Sequence, residues 1–161
     1  TSALDYFKSA LNLRKTHCVD QFQDVMKTLQ SMGNIYVELG RWDSVFSSFE
    51  EAVVLRNKNK VEQEEADAKI FFDLGNAFRQ VGKYDDALKQ LSLALAIVIK
   101  TCGEEHEEVA DMYFHIEIVY SDMGDFIISQ DYYEEALKLK RQYHGEEDIK
   151  VPKILHKIRK D

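Results

Sequence analysis

The sequence predicts an all-α solenoid in which antiparallel pairs of helices stack on one another. The first observation is a period of 42 residues, and the second is that apolar residues within each period follow helical spacing. One helix pair cannot bury both of its apolar faces, so the pairs are expected to stack. Three columns carry the period: Ala10, Ala52, Ala94 and Ala136; Gly40, Gly82 and Gly124; and Trp42, Tyr84 and Phe126.

Each period contains two helices joined by a tight turn. Gly82 stands at the turn of the middle period, where glycine permits a left-handed C-cap, and the next helix begins within two or three residues. A turn this short makes the paired helices antiparallel. We predict one domain over residues 1–161, with about three full repeats and a half repeat at each end. The segments are 1–18 (second helix of a repeat), 22–58, 62–101 and 105–142 (full repeats) and 150–160 (first helix of a further repeat).

Composition and charge exclude several classes of protein. The formal net charge of −8 and the pI near 5.2 disfavour non-specific binding of nucleic acid. The sequence has no run of eighteen apolar residues and its N-terminal segment lacks the features of a signal peptide, so no membrane insertion is expected. Cys18 and Cys102 occupy equivalent positions two repeats apart, beyond the roughly 7 Å between Cα atoms that a disulfide tolerates. Two reduced cysteines predict a cytoplasmic location.

Three stretches of the second full repeat resemble the tetratricopeptide signature, and the resemblance covers essentially the whole chain. The period of 42 and the inter-repeat link resemble the longer repeat of the kinesin light chain group. Two departures are Glu107, where the family has proline, and Glu117, where Gly33 and Gly75 stand in the preceding repeats. The stretches are Leu74-Gly75-x-x-Phe78, Gly82-Lys83-Tyr84-x-x-Ala87 and Leu91-x-x-Ala94-Leu95, and the link is Gly103-x-x-His106-x-x-Val109-Ala110.

The resemblance implies a right-handed superhelix whose concave wall is formed by the first helix of each repeat and binds peptide segments of other proteins. Asn34 and Asn76 can pair with a peptide backbone, while Phe72 and Phe114 offer an apolar floor. The competing interpretation is a solvated helix face. Repeat positions place on this wall Lys27, Gln30, Ser31, Asn34, Lys69, Phe72, Asp73, Asn76, Arg79, Asp111, Phe114, His115, Ser121 and Asp122.

Some relatives grip a C-terminal carboxylate with lysine, asparagine and arginine at fixed positions of this wall. Here Asp73, Asp111 and His115 stand where asparagine and cations are needed. One repeat later the match improves, but Phe72 replaces one cation. An extended segment is therefore the predicted ligand, in preference to an anionic chain end.

Two features of the third full repeat depart from the pattern. Ile127 and Ile128 align with polar pairs in the preceding repeats, so both are predicted to face solvent, either as a contact for a partner or second copy or as scattered surface apolar residues. Glu117 faces Ser129, where the preceding repeat has Ala87. Because an unpaired charge between packed helices is costly, we predict a splayed repeat or a carboxylate turned outward.

The sequence contains no motif of a hydrolase, a nucleotide-binding protein or a zinc enzyme. The densest acidic group, Glu104 to Glu108 around His106, lies in an inter-repeat link where His106 has a structural role. We therefore predict no enzyme activity, no catalytic residue, no metal and no cofactor. The predicted function is that of a scaffold or adaptor binding a protein or peptide; the alternatives are a self-assembling homo-oligomer and a regulatory module of a larger protein.

Overall fold

The computed structural model describes residues 22–59 and 64–144, together with four helical residues, Asp5, Lys8, Ser9 and Asn12. These two ranges contain six helices and no strand, which confirms the predicted all-α fold. The predicted helix at 150–160 and most of the one at 1–18 lie outside the described residues. The helices are α1 (Phe22–Glu38), α2 (Trp42–Asn59), α3 (Glu64–Gln80), α4 (Tyr84–Cys102), α5 (Glu107–Met123) and α6 (Phe126–His144).

The turn inside each pair is made by a glycine in the left-handed region. Gly82 has φ of 76°, and the Lys83 N–H donates to the carbonyl of Phe78 at 3.0 Å. The Gly82 N–H donates to the carbonyl of Arg79, which completes a Schellman motif. Gly40 and Gly124 repeat this geometry, with φ of 63° and 85°. The pairs α1 with α2, α3 with α4 and α5 with α6 are thus antiparallel, and they stack in chain order.

The paired helices approach closely at a glycine of the first helix. A Cβ atom added to Gly75 would lie 2.8 Å from Cγ of Leu91, and one added to Gly33 would lie 2.8 Å from the Phe49 ring. Leu91 and Phe49 are fully buried. The small residue is therefore what allows a large apolar side chain of the second helix to sit against the backbone of the first. The alanine column is buried as well, since Ala52, Ala94 and Ala136 have no exposed surface.

The third pair solves the same packing problem with a polar contact. Ser129 is buried, and its Oγ donates a hydrogen bond of 2.9 Å to Oε1 of Glu117. Burial raises the pKa of the Glu117 carboxyl; the Ser129 hydrogen bond opposes this shift, and the nearby Asp122 adds to it. The prediction of a splayed repeat or an outward carboxylate is wrong, because Ser129 supplies the donor that Ala87 lacks in the preceding repeat.

Candidate functional site

The first helices α1, α3 and α5 lie side by side, and residues 43 positions apart meet across their boundaries. Nε2 of Gln30 donates to Oδ2 of Asp73 at 3.0 Å, which joins α1 to α3. Between α3 and α5, the Arg79 guanidinium lies 2.8 Å from Oδ2 of Asp122. The rings of Phe72 and His115 meet edge to face with centroids 4.5 Å apart. We call the surface that α1, α3 and α5 present together the first-helix face.

Each residue predicted on the concave wall keeps some exposed surface. Exposed members are Lys27, Asn34, Lys69 and Asp122, and the half-buried members are Gln30, Ser31, Phe72, Asp73, Asn76, Arg79, Asp111, Phe114, His115 and Ser121.

Two polar residues at the α1 end of this face are free to bind. The side chains of Lys27 and Asn34 make no hydrogen bond or ion pair within the described ranges. The Asn76 side chain already makes one hydrogen bond, in which its Nδ2 donates to the carbonyl of Phe72 at 3.2 Å. Its amide oxygen therefore stays available as an acceptor.

Most charges on the first-helix face are paired within the chain. Lys69 Nζ lies 3.5 Å from Asp73, and Lys140 Nζ lies 2.7 Å from Asp111. The pKa of His115 is lowered, chiefly by burial and also by the Arg79 charge, while Asp111 opposes the shift. Lowering this pKa below its usual value of about 6.5 favours the neutral imidazole at pH 7, so His115 adds little positive charge to the face. The face therefore lacks the cluster of unpaired cations that a carboxylate clamp needs.

A cleft of about 340 Å³ opens between α3, α4 and α5. Lys69, Phe72 and Asp111 of the predicted wall contribute to its lining. Repeat positions of the first helices do not predict Val98, Thr101 and Cys102, because these three residues belong to the end of α4. Ala68, Glu108 and Met112 lie on first helices but outside the positions predicted for the wall.

The α5–α6 turn exposes apolar side chains. Ile127 is 79% exposed, in agreement with the prediction, whereas Ile128 is half-buried, so the prediction that both isoleucines face solvent is wrong for Ile128. The Ile128 N–H donates to Oδ1 of Asp125 at 3.5 Å, which caps the start of α6. Met123 and Phe126 are 42% and 49% exposed. We call Met123, Phe126 and Ile127 the turn patch.

The link between α4 and α5 gathers three side chains that are able to bind metals. One ligand atom from each of Cys102, His106 and Glu108 lies within 4.8 Å of the other two. The prediction of no metal rested on the acidic run around His106, which does not include Cys102. The spacing Cys-x-x-x-His-x-Glu was the signal that could have included it.

Comparisons with known proteins agree with the repeat architecture. A family model described as tetratricopeptide repeat matches residues 66–142. No curated protein matches the chain. In the described part of the chain, no helix has the length and apolarity needed to cross a bilayer.

Three solved structures show the same fold at low sequence identity. The chain is 19% identical to BtubC (BKLC) from P. vanneervenii, with a TM-score of 0.69, covering 90% of this chain and 60% of that one. It is 18% identical to the TPR domain of Arabidopsis FLU, with a TM-score of 0.65, covering 75% of this chain and 98% of that domain. It is 14% identical to a Podospora anserina putative kinesin light chain with nearly identical TPR-like repeats, with a TM-score of 0.73 and coverage of 89% and 68%.

Proposed function

We propose that this chain, which matches the tetratricopeptide repeat family model over residues 66–142, acts as an interaction scaffold that binds an extended segment of a partner protein on its first-helix face. The cleft between α3, α4 and α5 is the observation that carries this proposal, because three residues of the predicted wall line it. Its volume of about 340 Å³ falls within the range of ligand pockets and suits a side chain of a bound peptide.

Recognition on this face would combine shape with amide hydrogen bonds. An apolar side chain of the peptide would enter the cleft against Phe72 and Met112, which are half-buried and so keep surface to offer. Asn34 and the free oxygen of Asn76 would pair with the peptide backbone. Because Asp73 and Asp111 are already paired with cations, ionic contacts would contribute little to affinity.

Peptides selected from a random library on the immobilised protein would test this proposal. We expect Phe72→Ala to weaken binding of a selected peptide roughly tenfold, as expected for an aromatic anchor worth about 1.4 kcal/mol. Leu93→Ala is the matched control, because Leu93 is 43% exposed on a second helix, and its binding should equal that of the parent. Fluorescence polarisation measures all three affinities. If the selected peptide binds the parent and Phe72→Ala with equal affinity, the cleft is not its binding site and the proposal is wrong.

The turn patch supports a second candidate, self-association. Ile127 replaces Asp85 of the preceding repeat and is 79% exposed beside Phe126, so burying the patch against another copy would remove apolar surface from water. We expect sedimentation velocity to show a mass that rises with concentration for the parent and stays monomeric for Ile127→Asp. Val54→Asp, at a residue 63% exposed on α2, should behave like the parent. A parent that is monomeric at every concentration rules out this candidate.

We further propose that the protein is a binding module without catalysis and that it works in the cytoplasm. The proposed work is done by surface contacts, which need no catalytic group. Cys102 is exposed and free, a state that a reducing compartment maintains.

A further inference from the structure

Three metal-binding side chains converge where the second repeat passes into the third. Cys102 is the last residue of α4, His106 is the N-cap of α5, and Glu108 lies in the first turn of α5. Sγ of Cys102 lies 3.8 Å from Oε2 of Glu108, and a ring nitrogen of His106 completes a group whose ligand atoms are all within 4.8 Å of one another. Cys102 and Glu108 are exposed, so an ion can reach them from solvent.

The backbone around this group fixes its geometry. Gly103 has φ of 92°, and its N–H donates to the carbonyl of Ile99 at 2.9 Å, so α4 ends directly after Cys102. Nδ1 of His106 accepts a hydrogen bond from the Glu108 N–H at 3.3 Å and thereby caps α5. The three side chains are therefore positioned by the ends of two helices, so a metal ion could bind without first ordering a loop.

We propose that Cys102, His106 and Glu108 form a binding site for a divalent transition metal, with Zn²⁺ as the preferred ion. A thiolate, an imidazole and a carboxylate are all common zinc ligands. Tetrahedral zinc with bonds of about 2.0 to 2.3 Å places its ligand atoms roughly 3.4 to 3.7 Å apart. The observed 3.8 Å between Sγ and Oε2 is already close to this separation. The thiol selects against Mg²⁺ and Ca²⁺, which take oxygen ligands.

Metal binding changes the protonation of the site in a defined way. The Cys102 thiol releases its proton to solvent and binds as the thiolate, while the imidazole binds as a neutral ligand. A metal on Nδ1 would replace the long hydrogen bond from the Glu108 N–H. Three protein ligands leave a fourth position for water or for a group of a bound partner.

A bound ion would cross-link the second repeat to the third, because Cys102 belongs to α4 whereas His106 and Glu108 lie at the start of α5. Cys102 and Glu108 also line the cleft, so the ion would add positive charge at the cleft rim. The inference does not depend on peptide binding, since the metal can be tested alone.

Titration with Co²⁺ under a reductant that contains no thiol tests this site. We expect the parent to bind one Co²⁺ per chain with a sulfur-to-cobalt charge-transfer band, and Zn²⁺ to displace it. Cys102→Ser should lose the band, whereas Cys18→Ser, which removes the only other thiol of the chain, should keep it. Glu108→Gln should weaken Zn²⁺ binding at least tenfold. His106→Asn should do the same while preserving the cap, because asparagine is also a good N-cap residue.

Thermal unfolding gives a second readout, since a ligand that binds only the folded state raises Tm. Zn²⁺ should raise the Tm of the parent and of Cys18→Ser but not that of Cys102→Ser. Circular dichroism establishes that each variant is helical. The proposal is overturned if the parent shows no charge-transfer band, if Cys102→Ser retains it, or if Cys18→Ser loses it.

Discussion

Replacing Gly75 with glutamate will lower the free energy of unfolding by roughly 3 to 5 kcal/mol, although glutamate is the residue that the next repeat carries there, as Glu117. A Cβ atom at Gly75 would lie 2.8 Å from Cγ of the fully buried Leu91 and 3.2 Å from the backbone oxygen of Ala87. The carboxylate would then enter a contact where Ala87 offers no donor. Crowding and an unpaired buried charge therefore add together. Urea denaturation measures the loss.

Two further variants separate these causes. Gly75→Ala introduces the crowding alone, and the better helix propensity of alanine, worth about 1 kcal/mol, offsets part of it. Adding Ala87→Ser to Gly75→Glu supplies the hydroxyl that Ser129 provides to Glu117, and it should recover roughly 1 to 2 kcal/mol. If Gly75→Glu costs no more than Gly75→Ala, the carboxylate finds another partner and the explanation of the third repeat is wrong.

The fold was predictable because the period marks positions at which backbone geometry restricts the residue. Gly82 must adopt a positive φ to end α3, and Gly75 must leave room for Leu91. The first requirement concerns a single residue, and the second concerns two residues of the same repeat. A repeating column is sufficient to reveal them, so the sequence predicted the six helices that the structure describes and their pairing.

The candidate site was less predictable because side chains of different repeats meet there. The pairing of Arg79 with Asp122 depends on how α3 lies against α5, which a column of equivalent positions does not describe. The same limitation applies to Cys102, whose approach to Glu108 follows from the turn at Gly103. The burial of Ile128 was not predictable for a related reason: its alignment with polar residues indicates exposure but does not describe the direction of one side chain at the start of α6.

The ion pair between α2 and α3 leads to the second large prediction. Oδ2 of Asp67 accepts a hydrogen bond of 2.7 Å from Nε of Arg56, and the Asp67 side chain is only 3% exposed. The guanidinium also lies over the Phe71 ring, 5.6 Å from its centroid. We expect Arg56→Met to lower the free energy of unfolding by roughly 3 to 5 kcal/mol, because it leaves a buried carboxylate without its cation. Chemical denaturation checks this value.

A double mutant shows whether the buried charge causes the loss. Asp67→Asn added to Arg56→Met removes that charge, so it should restore a large part of the stability. Lys138→Met is the matched control, because it breaks an ion pair with Glu135 in which both side chains are more than half exposed, and it should cost less than about 1 kcal/mol. If Arg56→Met costs no more than Lys138→Met, the Asp67 carboxylate is solvated once Arg56 is removed. The Arg56–Asp67 ion pair then contributes little to the packing of the first repeat against the second.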